Sequence, residues 1–127
     1  MSARSKTSVP EEAVPGSEPE TVNEVRLVGR LSQDPELRTL PSGDPLWTFR
    51  VVVPRAGPSV SRAPVDALDC TVWSGRSRRT VATWRAGDLV EVGGAVRRRF
   101  FRAGGGSVSR VEIEVASARV IRRRASA

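Results

Sequence analysis

The chain has 127 residues, with 21 lysines and arginines against 14 aspartates and glutamates, a net charge of +7 and no histidine. Without histidine it can build no Ser-His-Asp triad, no Cys-His pair and no His-ligated metal site, and its lone cysteine, Cys70, excludes an internal disulfide and fits a reducing cytoplasm. All the cations except Lys6 are arginines, whose planar fork suits phosphate and stacks on rings, so a polyanionic partner is implied; codon bias in a GC-rich genome would give the same excess.

Residues 1–21 hold Pro10, Pro15, Pro19 and several serines, with a net acidic charge and almost no large apolar side chain. Such a segment cannot bury enough surface to offset its ordering entropy, so a disordered tail is expected there. Its start has no apolar h-region, which argues against a signal peptide, and no apolar run in the chain is long enough to span a membrane.

From Val22 the apolar period is mostly two, the signature of strands. The first, in VNEVRLVGRL, puts Val25, Leu27 and Leu31 on one face and Glu24, Arg26 and Arg30 on the other. QDPELRTLPSGDP reads as a turn-rich connection. LWTFRVVVP is a second strand, with Trp47, Phe49, Val51 and Val53 opposing Thr48, Arg50 and Val52; RAGPSVSRAP is a long loop. ALDCTVW is a third, with Leu68, Cys70 and Val72 inward and Asp69, Thr71 and Trp73 outward. The period then changes, and a short helix is expected over 77–85, with Val81 and Trp84 sharing a face and Gly87 as its stop. DLVEVGGAVRRRFFR is a fourth strand, RAGGGS its turn, and VSRVEIEVASARVIRR a fifth.

Five strands with one short helix between the third and fourth suggest an all-β domain over 22–122, a five-stranded OB-fold barrel, followed by a short basic tail over 123–127. The periodicity also allows an SH3-like barrel or a small sandwich. Parity sorts the fourth strand. Val90, Val92, Val96 and Phe100 share the core side, while Glu91, Arg97, Arg99 and Phe101 share the other, unless a bulge at Gly93-Gly94 swaps them. An outward Trp73 and an outward Phe101 beside arginines have the make-up of a single-strand platform: bases stack on rings and guanidiniums hold phosphates. The same count turns Arg26, Arg30, Arg50 and Arg110 outward. Trp47 and Trp84, on faces rich in other apolar residues, read as core.

The stretch VNEVRLVGRLSQDPELRTLPSG, with its Gly29, Leu31, Asp34, Pro35, Glu36 and Arg38, resembles the opening of the bacterial single-stranded-DNA-binding protein family, and RAGDLVEVGGAVRRRFF resembles its helix end and fourth strand. The resemblance extends over 22–121. It implies an OB fold, a homo-oligomer (commonly a tetramer) and binding of single-stranded DNA. It places Trp73 and Phe101 on stacking positions and Arg97 and Arg99 on basic ones. Ala67 stands where the family has a third aromatic, and Asp69 where it has a basic residue. The family's acidic C-terminal tip has no counterpart here, so a divergent, shortened member is expected.

The resulting expectation is a non-catalytic cytoplasmic, nucleoid-associated protein. It would bind single-stranded DNA with little sequence preference during replication, repair or recombination, without cofactor or metal. Two alternatives stand beside it: an RNA-binding OB module, and an interaction module whose exposed rings pack in mixed oligomers with a full-length family member. An enzyme finds little support, because Asp66, Asp69, Glu112 and Glu114 have no metal-ligand spacing.

Overall fold

The computed structural model describes residues 20–56 and 64–125. Residues 1–19 of the expected disordered tail, 57–63 of the long loop and 126–127 lie outside the described residues. The elements are β1 (Val25–Leu31), β2 (Glu36–Thr39), β3 (Pro45–Pro54), β4 (Val65–Val72), α1 (Gly75–Val81), β5 (Leu89–Ala103) and β6 (Gly106–Arg122).

Five of these strands close on themselves. β1 pairs antiparallel with β5 from Val25 to Arg30, then reaches β3 through Arg30 and Leu31, opposite Val52 and Val51. β5 pairs β6, β6 runs parallel to β4, and β4 pairs β3, completing the ring. The helix lies between the third and fourth barrel strands. This is the OB-type barrel, and the SH3-like and sandwich alternatives fall away. Closure brings β1 against the β3 backbone at Gly29. A Cβ there would run into the Val52 carbonyl oxygen and lie 2.8 Å from Val51 Cγ1, so the crossing needs glycine.

The segment expected as a turn-rich connection contains an additional strand. β2 pairs with the start of β3, from Glu36 opposite Thr48 to Thr39 opposite Pro45, and lies outside the closed ring. All four of its residues are exposed, so it carries no alternation for a periodicity argument to find. The turn that follows is closed by Leu40 N–H to the Asp44 carbonyl at 2.9 Å, with Gly43 at φ 93°.

The barrel is filled by Leu31, Phe49, Val51, Cys70, Val72, Val90, Val92, Ile113 and Val115, and plugged by Val81 and Trp84 from the helix side. Trp84 is fully buried and meets Phe49 edge-on, with centroids 5.3 Å apart. Trp47 is partly buried against this core. The helix starts and ends earlier than expected. Ser74 is its N-cap and accepts the Ser77 N–H at 3.3 Å, while Trp84 sits in the turn beyond it.

That turn fastens three parts of the chain together. Gly87, at φ 91°, donates its N–H to the Leu31 carbonyl, and Leu31 N–H reaches the Asp88 carbonyl. Asp34, from the first strand's motif, accepts the Ala86 N–H at 2.8 Å. The buried Asp88 carboxylate accepts N–H groups of Arg85 and Arg124 and the Arg123 guanidinium. Arg123 and Arg124, expected as the start of a basic tail, are therefore clasped to the barrel.

β5 and β6 outgrow the ring. β1 stops pairing at Val25 opposite Gly94, and Asn23 adds two side-chain bonds to the Val96 backbone. Beyond this point the two strands form a free arm. Both irregularities sit on β6: Ile121 is extra between the pairs Leu89–Arg122 and Val90–Val120, and Ala116 between Gly93–Ser117 and Gly94–Val115. The placing of Phe100 and Val96 in the core is corrected here. They keep the inward parity of Val90 and Val92, but no layer of described residues covers the arm. Phe100 is 71 % exposed, more than Phe101 at 44 %.

Candidate nucleic-acid interface

An open groove of about 770 Å³ crosses the outer face of β3 and β4, bounded by β2 on one side and the β5–β6 arm on the other. Strand alternation builds it. Thr48 and Arg50 of β3 and Asp69 and Thr71 of β4 point into it from the barrel, and Arg99, Phe101, Arg110 and Glu112 from the arm. Trp73, immediately after β4 and half-buried, lines the same groove. The two outward rings that parity singled out thus share one surface.

Each ring is covered by an arginine. The Arg99 guanidinium lies 5.7 Å from the Trp73 centroid, and the Arg110 guanidinium 5.7 Å from that of Phe101. The indole Nε1 of Trp73 is buried and has no hydrogen-bond partner among the described residues, so its polar edge is turned into the protein.

Three acidic residues in or beside the groove are bound to arginines of neighbouring strands. Arg50 Nε donates to Asp69 Oδ1 at 2.9 Å, Arg97 Nε to Glu114 Oε1 at 2.6 Å and Arg99 Nε to Glu112 Oε2 at 2.8 Å. In all three pairs the inner nitrogen is used, which leaves terminal amino groups for an incoming anion. The carboxylates therefore aim the arginines. Glu112 is the most buried of them and also accepts the Thr71 hydroxyl at 3.3 Å. Burial, with the negative charges of Asp69 and Glu112 behind it, pushes the Cys70 thiol up to about 12, so it stays protonated and inert as a nucleophile.

Of the residues selected from sequence, Trp73, Phe101, Arg99, Arg110 and Arg50 line the groove. Arg97 shares their face of β5 through its bond to Glu114, which Arg99 also approaches at 3.9 Å. Arg26 and Arg30 are not brought to it. They project from β1, where Arg26 pairs with Glu91 and Arg30 donates to the Gly87 carbonyl at 2.9 Å. Arg38 of β2 lines the groove and was missed with its strand. The ring-side role of Glu112 was also missed, since a glutamate alternating along a strand looks like any solvent-facing one. Among the described residues no cluster of acidic residues or cysteine could hold a metal, and no helix is long and apolar enough to cross a membrane.

The profile of the single-strand binding protein family matches residues 22–121. The chain belongs to this family. Relatives within it include the single-stranded DNA-binding protein A of Bacillus subtilis, 34% identical over 79 residues, covering 61% of this chain and 46% of that one. The single-stranded DNA-binding protein 3 of Listeria innocua is 34% identical over 86 residues, covering 67% and 54%. The single-stranded DNA-binding protein B of Bacillus subtilis is 32% identical over 80 residues, covering 62% and 71%. The matched part spans about half the length of most of these relatives. Among solved structures, a Plasmodium falciparum SSB in complex with ssDNA superposes with a TM-score of 0.67 over 84% of this chain and 98% of that one. At 19% identity the likeness is one of fold.

Proposed function

We propose that this chain is a non-catalytic binder of single-stranded DNA, acting with little sequence preference to protect exposed strands in replication, repair or recombination. One observation carries the reading: two aromatic rings, Trp73 and Phe101, line a single strand-built groove among arginines, two of which, Arg50 and Arg99, are held by carboxylates through their inner nitrogens. Rings supply stacking that every base can use, and arginines supply phosphate contacts. Membership in the single-strand binding family and relatives named for single-stranded DNA support it. The residues assigned to binding are Trp73, Phe101, Arg50, Arg97, Arg99 and Arg110. Arg26 and Arg30 are left out because they lie on β1 away from the groove. The cytoplasm, around the nucleoid, is the proposed location.

The test is fluorescence anisotropy of a labelled oligo-dT strand, at low and moderate salt, with duplex of equal length as control. Saturable binding of the single strand, weakened by salt, is expected, because neutralised phosphates release counterions. Trp73→Ala and Phe101→Ala should each weaken it about tenfold. If both variants bind as well as the parent, the groove is not the site. Competition with a matched RNA strand decides between DNA and RNA.

A homo-oligomer is part of the proposal, and the arm supports it. Its uncovered face presents Val96, Phe100 and Val111, all exposed, on the part of β5 and β6 that no other described element covers. A second copy of this chain, or a full-length family member, would cover it. Sedimentation under nuclease treatment distinguishes a self-associating chain from a monomer.

A further inference from the structure

We infer that the two rings of the groove work differently, and that at the Trp73 subsite the base stacks on the Arg99 guanidinium, with the indole behind it as a backing plate. The inference rests on the single-strand-binding reading above and adds how each ring meets a base.

Both rings are covered in the free protein, but the covers are held unequally. Arg99 is anchored at its inner nitrogen by Glu112 at 2.8 Å, and a terminal nitrogen lies 3.9 Å from Glu114. Glu112 is itself buried, with its side chain only 8% exposed, and is tied to Thr71. Lifting Arg99 from the indole would leave that buried carboxylate without its cation, a large penalty. Arg110 has no carboxylate partner among the described residues. Swinging it off Phe101 forfeits only the cation–π contact, which a backbone phosphate replaces.

An incoming base therefore meets a fixed guanidinium at one subsite and a removable one at the other. A guanidinium is planar, delocalised and weakly hydrated, and bases stack on it as they do on aromatic rings. Trp73 is suited to the backing role, because its Nε1 edge is buried and its ring is half-covered. At the Arg99 subsite the planar fork matters. At the Arg110 subsite only the charge does, and the base takes Phe101 directly.

The test compares Arg99→Lys with Arg110→Lys in the full chain, by anisotropy with labelled oligo-dT across a salt series, after thermal melts show that both fold. Lysine keeps the charge and removes the plane. Arg99→Lys should weaken binding about tenfold with an unaltered salt slope, several-fold more than Arg110→Lys does. Arg110→Ala should lower the slope by about 0.7, the loss of one phosphate contact. Glu112→Gln adds a second arm. It makes the groove more positive, so a purely electrostatic role for Arg99 predicts tighter binding, whereas loss of the anchor predicts weaker binding. Tighter binding by Glu112→Gln, or an Arg99→Lys protein that binds like the parent, overturns the inference while leaving the single-strand function intact. A parent chain that binds no single strand at any salt overturns both.

Discussion

Replacing Asp88 with alanine should cost about 3 kcal/mol of stability. The carboxylate is buried and serves the N–H groups of Arg85 at 3.0 Å and Arg124 at 2.8 Å, and the Arg123 guanidinium at 3.1 Å. Arg123 is half-exposed and recovers water when its partner goes, so its loss counts for little. The two backbone donors lose charge-assisted bonds worth about 1.5 kcal/mol each at the low end, which sets the total. For a domain of this size that is a fall of roughly 12–24 °C in melting temperature. Asp88→Asn keeps one acceptor oxygen and should lose about half as much. The pH dependence has a definite sign. Burial alone would raise the Asp88 pKa, but hydrogen bonds from Arg124, Arg85 and Arg123 outweigh it and hold the carboxyl below its ordinary 3.8. A group depressed on folding stabilises the fold fully above its unfolded value, and that share is lost as pH falls through the folded one. Circular-dichroism melts of the parent should therefore show an extra loss of stability below about pH 4 that Asp88→Asn lacks. An Asp88→Ala protein melting within about 3 °C of the parent would refute the clasp.

Gly29→Ala should destabilise by about 1–3 kcal/mol, read as a lower urea midpoint, because its Cβ meets the β3 backbone where the barrel closes. Phe100→Glu should leave oligo-dT affinity within about twofold while shifting sedimentation toward the monomer, since the ring lies on the uncovered face of the arm and not in the groove. Arg30→Gln should change affinity less than Arg50→Gln in the same titration, because Arg30 serves the β1–Gly87 contact while Arg50 lines the groove. Glu91 is held below its ordinary pKa, chiefly by the hydrogen bond from Arg26, then by Arg119 against its burial. Glu91→Gln should thus flatten part of the acid limb of the stability curve, as seen in melts from pH 3 to 7.

Much of this architecture was legible because it depends on a period of two. The five barrel strands, the inward Phe49, Cys70 and Val72, and the outward Arg99 and Phe101 all follow from alternation along single strands. What escaped depends on partners that a strand's own sequence does not name. Parity put Phe100 on the core side of β5 and was right about the side. Whether that side is covered is decided by where β1 ends, opposite Gly94, six residues before the ring. β2 escaped for the complementary reason: it buries nothing, so selection for burial left no pattern in Glu36–Thr39. The acidic residues are the instructive case. In one dimension Asp69, Glu112 and Glu114 only dilute a basic surface. In space each takes the inner nitrogen of an arginine from a neighbouring strand, and so turns a flexible cation into a fixed one. For a groove proposed to accept any base, fixed guanidiniums should carry more weight than a larger net charge. A flexible arginine loses rotamer freedom each time it orders on a phosphate, whereas one already held by a carboxylate has lost it on folding.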